Sequence, residues 1–282
     1  MKAILGIIWD SDVDRSATKM GRTAFMPAEY SSIVYEIRES VARITLNQPP
    51  LNIIDIPMIG EMHNALARVH AAGDLKVLVI DHRGKAFSAG VSIQDHTPDK
   101  VGEMIEKFHG VFRLLNSLAI PTLALVDGMA LGGGCELAVF CDMVIASDRA
   151  TFGQPEIKVG VFPPVAAVLF PHLIGRNRAL ELLLTGDVIG AAEAKTIGLI
   201  NKVVPADIFR EKADEFISKL TSLSGPVLRL TKRAVDRGLT VSVDEGIRAV
   251  EQLYLGELME TEDAREGLNA FLEKRKPIWK NR

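Results

Sequence analysis

The sequence predicts an α/β fold followed by a helical C-terminal region. Two kinds of segment alternate along most of the chain: apolar runs of strand length, such as "KVLVID" and "TLALVDG", and longer stretches with apolar residues at helical spacing. From Asp207 onward only the helical pattern remains. Strands that are apolar throughout belong in a buried sheet, and their alternation with helices brings the intervening loops together at one end of it.

Residues 1–28 carry no sustained periodicity and read as an N-terminal extension. Their start, "MKAILGIIWDSDVDRS", is apolar too briefly and acidic too soon for a signal peptide. Ordered structure is expected from about Tyr30. "IVYEIRES" and "VARITLN" alternate at period two around a polar turn, which predicts a hairpin. In "PMIGEMHNALARVH" the residues Met58, Ile59, Met62, Leu66 and Val69 share one helical face. The strand "KVLVID" and the loop "HRGKAFSAGVSIQDHTPDK" follow. Thr97 and Pro98 are an N-cap and first-turn pair, expected to open an amphipathic helix bearing Val101, Met104, Ile105, Phe108, Phe112 and Leu115. "TLALVDG" then runs into "DGMALGGGCELAVFCD". "DMVIAS" and "ATFGQPEI" read as short strands, "RALELLLTG" and "AAEAKTIG" as a helical hairpin, and "LINKVV" as a strand. The helices beyond are too apolar to stand free and are expected to pack on the core or on another subunit. The chain thus divides into the extension 1–28, a core 29–206 holding the active site, and a helical oligomerisation region 207–282.

With 282 residues, 48% of them apolar, the chain can bury a sizeable core. Its formal net charge of −3 gives no general basic field, which disfavours nucleic acid and anionic membrane surfaces as partners. The basic end "EKRKPIWKNR" reads as a solvated tail rather than an RNA or membrane patch. No run reaches membrane-spanning length. Cys135 and Cys141 lack the spacing of a metal site or a disulfide framework, so a reducing, cytoplasmic setting is expected. His96, in "QDHTPDK", reads as a surface-loop residue because no ligand cluster accompanies it, and Cys135 as a small buried filler. No metal is required.

The chemistry concentrates in two glycine loops and two glutamates. Gly132, Gly133 and Gly134 end a strand and lead into a helix, which presents free backbone N–H groups and the positive end of a helix dipole with no side chains in the way. That arrangement suits an oxyanion. It is neither a P-loop, lacking Lys-Ser or Lys-Thr, nor a dinucleotide fingerprint, since Leu137 stands where the last glycine would be. Glu136 follows inside an apolar run, and Glu156 sits between Pro155 and Ile157 in a similar setting. Burial raises a carboxyl pKa and allows proton donation near neutral pH. Two such groups are what water addition needs, one to take a proton from water and one to supply a proton to carbon. A second loop, "GKAFSAGVS", also follows a buried strand and offers the other half of an oxyanion hole.

The blocks "KAFSAGVSI", "DGMALGGGCELAVFCDMVIAS", "ATFGQPEIKVGVFP" and "LLLTGDVIGAAEAKTIGLINKVV", in this order and spacing, resemble the enoyl-CoA hydratase, or crotonase, superfamily, from about Ile33 to Ile278. The resemblance implies a crotonase-type spiral of ββα units with a helical C-terminal trimerisation region, assembled as a homotrimer or homohexamer and acting on acyl-CoA thioesters. It implies no cofactor beyond the CoA moiety of the substrate. The backbone N–H groups of Val91 and Gly133 match the family's oxyanion hole, and Glu136 and Glu156 its two hydratase carboxylates. Ala89, Ser92 and Ile93 match the loop that meets the CoA adenine, and Phe271 and Lys274 a C-terminal segment that reaches CoA, often across a subunit boundary. Lys85, Lys274 and Lys276 are further candidates for its phosphates, because "QPPLNIIDIP" lacks the basic residue frequent there.

One departure narrows the substrate. After Glu156 the small, glycine-rich stretch of fatty-acyl hydratases gives way to "VGVFPPVAAVLF", in which Phe162, Pro163, Pro164 and Val165 are expected to wall the acyl end with rigid apolar surface. Within the family, "NQPPLNIID" and "FGQPEIKVGVFPPVAAVLFPHLIGR" are most similar to hydratases of cyclic, conjugated dienoyl thioesters from anaerobic aromatic degradation. Other readings stay open: an ordinary fatty enoyl-CoA hydratase, an isomerase or thioester hydrolase using one glutamate, and a non-catalytic CoA- or RNA-binding relative.

Overall fold

The computed structural model describes residues 30–239 and 241–282, so the extension 1–28 lies outside the described residues. Strand β1 (Ile33–Arg38) turns into β2 (Val41–Leu46), and helix α1 (Ile56–Ala71) follows. The chain then repeats one unit: β3 (Val77–His82), β4 (Ala86–Ser88) and α2 (Val101–Ser117); β5 (Thr122–Val126), β6 (Met129–Leu131) and α3 (Gly133–Phe140); β7 (Met143–Ser147), β8 (Thr151–Gly153) and the pair α4 (Pro164–Ile174) and α5 (Arg176–Thr185). Strand β9 (Val188–Gly190), α6 (Ala191–Thr196) and β10 (Lys202–Val204) complete the core. Helices α7 (Phe209–Thr221), α8 (Gly225–Leu239), α9 (Val243–Leu253) and α10 (Glu262–Leu272) form the C-terminal region.

In each repeat the first strand joins one sheet and the second joins another. The larger sheet has the order β1-β2-β3-β5-β7-β10 and the smaller β4-β6-β8-β9. The hairpin β1–β2 is antiparallel, as its alternation predicts, and the larger sheet is parallel from β2 onward. This is a spiral of ββα units closed by C-terminal helices, the architecture that the resemblance implies.

The apolar strands are buried on both faces. Leu78 and Ile80 of β3 face the main core with Met58, Met62 and Leu66 of α1, whereas Val77 and Val79 face a second cluster with Leu123 and Leu125 of β5. Phe209, Ala213 and Ile217 of α7 cover that second face, so the first C-terminal helix is part of the core packing. Burying both faces explains why "KVLVID" and "TLALVDG" show no alternation.

Two local expectations are corrected. The loop after β3 contains β4 and a 3-10 turn over Ile93–His96. The following helix begins at Val101 with Lys100 at its N-cap, while the Thr97 carbonyl accepts the N–H groups of Lys100 and Val101, both at 2.9 Å. Thr97 and Pro98 therefore form the turn ahead of α2. Helix α4 is an addition: "PPVAAVLF" reads as a wall in the sequence but opens a helix with Pro164 at its first position, where the missing proline N–H costs nothing.

Candidate active site

The small sheet assembles the site. Strands β4, β6 and β8 are adjacent and parallel, with Ser88 beside Ala130 and Leu131 beside Gly153. Their C-terminal ends lie side by side and release Ala89–Val91, Gly132–Glu136 and Gln154–Glu156 toward one place, the carboxyl edge where parallel sheets bind ligands. A cavity of about 770 Å³ opens there. It is lined by Ala89, Gly90, Val91 and Ile93 from the first segment, Gly132, Gly133 and Glu136 from the second, and Pro155, Glu156 and Lys158 from the third. His96, Met104, Ile105, Phe108 and His109 form one wall, and Val161, Phe162, Pro163 and Pro164 another.

The three glycines are explained by what crowds them. Gly132 has φ +52°, a left-handed backbone that disfavours any Cβ, and a Cβ there would stand 2.5 Å from Glu156 Oε1. At Gly133 it would meet Val91 Cγ2 at 2.5 Å, and at Gly134 the Ser88 carbonyl oxygen at 2.7 Å. Bare backbone is what lets the segments close on one another. The Gly132 N–H donates to the Gly153 carbonyl at 2.9 Å and ties the ends of β6 and β8 together.

Among the described residues, the N–H groups of Val91 and Gly133 have no backbone partner outside helices and strands. Ile54 donates to the Gly90 carbonyl and accepts from the Ser92 N–H, both at 2.9 Å, in an isolated parallel bridge with Val91. Such a bridge turns the N–H of Val91 itself away from Ile54. Gly133 is the first residue of α3, so its N–H precedes the helix's own ladder. Behind the loop, fully buried Asn52 accepts from Gln48 N and donates to the carbonyls of Arg83 and Ala86, each at 2.8 Å. Asn52 also holds φ 49°, which asparagine tolerates better than most residues. Asn52→Ala removes three hydrogen bonds, one of them to the buried Ala86 carbonyl, and strains the backbone; a loss of about 2 kcal/mol or more is expected in urea unfolding.

Glu136 is only 2% exposed. Its Oε1 accepts the Ala166 N–H at 2.8 Å, so a carboxylate from the first turn of α3 caps the N-terminus of α4, whose own N-cap, Pro163, has no side chain able to do so. Burial, with the neighbouring Glu156 charge adding to it, pushes the Glu136 carboxyl up to about 7, against the pull of the α4 N–H groups. Burial also raises Glu156, opposed by its own backbone N–H and by His96. In the amide orientation that gives both groups a partner, fully buried Gln154 points its nitrogen at the two Glu156 oxygens, at 3.1 and 3.3 Å. The cavity thus holds two carboxyl groups that burial raises, Glu136 to about 7, on the segments beside Val91 and Gly133.

The structure brings Ala89, Val91, Ile93, Gly133, Glu136, Glu156, Phe162, Pro163 and Pro164 to this cavity. Val165 does not line it; its side chain packs on the main core at the start of α4. Lys85 and Ser92 stand off the lining, and Phe271 and Lys274 lie exposed at the end of α10, outside it. His96, expected on a surface loop, lines the cavity. Sequence reasoning passed over Asn52, Gln154 and the N-terminus of α4. Only the last left a readable signal, the prolines ahead of an apolar run. Cys135 and Cys141 are free and buried, and burial raises both thiols well above their usual range.

Comparison with known proteins places the chain in a family. Residues 36–282 match the sequence profile of a family described as enoyl-CoA hydratase/isomerase. A cyclohexa-1,5-dienecarbonyl-CoA hydratase of Thauera aromatica is 39% identical over 245 residues, covering 86% of this chain and 94% of that protein. A crotonyl-CoA hydratase of Syntrophomonas wolfei is 36% identical over 253 residues, covering 88% and 97%. The crystal structure of an enoyl-CoA hydratase from Bacillus anthracis superposes with a TM-score of 0.84 at 32% identity, covering 89% of this chain and all of that one. The chain belongs to the enoyl-CoA hydratase/isomerase family and is an enzyme of the hydro-lyase type.

Proposed function

We propose that the enzyme hydrates cyclohexa-1,5-diene-1-carbonyl-CoA to 6-hydroxycyclohex-1-ene-1-carbonyl-CoA, a step of anaerobic aromatic degradation. The observation that carries this reading is the pair Glu136 and Glu156, both raised by burial, in one cavity with the N–H groups of Val91 and Gly133. The thioester carbonyl accepts from those two N–H groups, which stabilise the dienolate as charge moves onto oxygen. One carboxylate takes a proton from water as its oxygen bonds to the ring, and the other carboxyl gives a proton to a carbon of the dienolate. The sum is one water added, with the first glutamate left protonated and the second ionised; a proton passed from the one to the other through solvent resets both for the next turnover.

A ring substrate is supported by the apolar residues Phe162, Pro163 and Pro164, which line the cavity that holds both carboxylates, and by the likeness to the Thauera aromatica hydratase. Ala89, Ser92, Ile93 and Lys85 are assigned to the CoA moiety in this reading. Phe271 and Lys274 reach it from a neighbouring subunit of a trimer or hexamer, in keeping with their exposure, 82% for Phe271. Apolar side chains open to solvent on α8 to α10, among them Leu239, Val243 and Leu255, support such an assembly. The reading includes a cytoplasmic location, which the two unpaired cysteines support.

Purified protein is to be incubated with cyclohexa-1,5-diene-1-carbonyl-CoA and, in parallel, with crotonyl-CoA, and the products weighed by mass spectrometry. Gain of one water on the ring substrate, with crotonyl-CoA much slower, is the expected result. A preference for crotonyl-CoA would favour the second reading, an ordinary enoyl-CoA hydratase, which the Syntrophomonas wolfei relative supports. Unchanged mass with a moved double bond would mark an isomerase, and released CoA a hydrolase.

A further inference from the structure

The two donors of the oxyanion hole come from neighbouring repeats, Val91 from the one that starts at β3 and Gly133 from the one that starts at β5. Their spacing therefore depends on how one repeat is pinned to the next. Strands β4 and β6 pair over only three residues, and their register shifts between Ala86 and Ser88. One side chain bridges the repeats just upstream. His82, the last residue of β3, is 8% exposed, and its ring lies edge to face against buried Phe87 of β4, with centroids 5.7 Å apart. Its Nε2 accepts the N–H of Asp127, the residue after β5, at 3.1 Å. A ring nitrogen that accepts carries a lone pair, so the imidazole is neutral with its proton on Nδ1. Asp127 opens the turn into β6, and the next residue, Gly128, runs so close to the start of β4 that a Cβ there would stand 2.2 Å from the Lys85 carbonyl oxygen. The Gly128 carbonyl in turn accepts the Thr151 N–H of β8 at 3.2 Å.

We propose that neutral His82 is a positioning residue for the oxyanion hole: by accepting the Asp127 N–H it pins the turn before β6 to the end of β3, and a proton on Nε2 releases the pin and shifts Gly133 against Val91. The added proton turns an acceptor into a donor that faces another donor. Both carboxylates that face the ring are already paired. Asp81, beside it on β3, is bound by Arg43 of β2, and Asp127 by Arg149, whose Nε donates at 2.7 Å. Arg210 of α7 brings a further positive charge. Burial accordingly lowers the His82 pKa below its usual value, with the Asp81 and Asp127 carboxylates opposing and Arg210 assisting. The stability that the neutral ring brings is present in full above the unfolded value near 6.5 and is lost as pH falls below it, so the pin holds at neutral pH and opens in acid. The inference rests on the oxyanion-hole reading of Val91 and Gly133 only for the use to which their spacing is put.

Nuclear magnetic resonance of ¹⁵N-labelled protein reads the pin without any substrate. The Nε2 resonance of His82, assigned by its loss in His82→Gln, should report an acceptor nitrogen at neutral pH and titrate with a midpoint below about 6.5. The amide resonances of Asp127, Val91 and Gly133 should each carry a component with that same midpoint. His82→Gln offers an amide oxygen that can accept the Asp127 N–H and cannot ionise, so the component should vanish while the neutral-pH positions are kept. His82→Leu keeps an apolar body against Phe87 but accepts nothing, and should shift the Val91 and Gly133 amides even at neutral pH. On crotonyl-CoA or the cyclic dienoyl thioester, whichever the native protein hydrates, His82→Leu should lose about tenfold in kcat with KM little changed, and His82→Gln should restore most of it. Val91 and Gly133 amides that lack the His82 component, or a folded His82→Leu with both in their native positions, overturn the proposal. Should His82→Leu fail to fold, the native and His82→Gln titrations still decide it. Hydration of neither thioester by the native protein would overturn the functional reading instead, and the amide titrations would decide the role of His82 unchanged.

Discussion

Glu136→Gln is expected to slow hydration by about 10²- to 10⁴-fold, the usual contribution of a positioned acid or base. The fold should survive, because the glutamine amide oxygen can still accept the Ala166 N–H that Glu136 Oε1 takes at 2.8 Å. Its stability should change with pH in a defined direction. The Glu136 carboxyl is raised from 4.5 to about 7 in the folded protein, so the folded state holds the proton more tightly than the unfolded chain does. The stability this brings is present in full below the unfolded value and is lost as pH rises through about 7. Glutamine cannot ionise and escapes that loss. At pH 8 the variant should therefore be more stable than the native enzyme by on the order of 3 kcal/mol, and at pH 4 nearly equal to it. Chemical denaturation at the two pH values reads this directly. Glu136→Ala, by contrast, leaves the N-terminus of α4 uncapped and should lose activity together with about 1 to 3 kcal/mol.

Gly132→Ala is the second large effect. A methyl group at φ +52° strains the backbone by about 1–2 kcal/mol, a modest cost by itself. The greater consequence is contact, since that methyl would stand 2.5 Å from Glu156 Oε1 and drive the carboxylate off its place. Loss of one positioned proton-transfer group predicts a fall in rate of about 10²-fold or more. Gly175→Ala separates the two causes: it too has a positive φ, +77°, but meets nothing within 4 Å, so it should show similar strain with no loss of rate. Equal rate losses in the two variants would mean that strain, not contact with Glu156, makes Gly132 necessary.

Much of the larger sheet was legible because its strands are five or six residues long and either alternate, as in the β1–β2 hairpin, or are apolar throughout, as in β3 and β5. Helix α1 was equally plain from Met58, Ile59, Met62, Leu66 and Val69, all buried on one face. The small sheet was not, and it builds the site. Strands β4, β6 and β8 are each three residues long, too short for a period to show, and their adjacency is a fact of topology that no local pattern carries. The residues alone could pair Glu136 and Glu156 as the two groups that water addition needs, but no local pattern showed that β6 and β8 set them on one cavity.

Misreadings followed from the same limit. His96 looked like a surface residue because nothing in its own stretch reveals that the 3-10 turn folds back over the cavity. The prolines at 163 and 164 were read as a wall, which Phe162 and both prolines form, but their second task was missed. They start α4, and the N–H of its third residue holds Glu136 from thirty positions away. Val165 was assigned to the wall for its apolar character, whereas a helical turn points it into the core.

The division of the two proton transfers of one hydration between Glu136 and Glu156 is the claim on which the account stands. Rates of hydration should be measured in H₂¹⁸O for Glu136→Gln, Glu156→Gln and the double variant, with label counted in the product. Groups that act as a unit give losses far from multiplicative. The account predicts one labelled oxygen per product in the native enzyme and a double variant hardly slower than the slower single one. Losses that multiply, or a single variant that keeps the native rate, would contradict it.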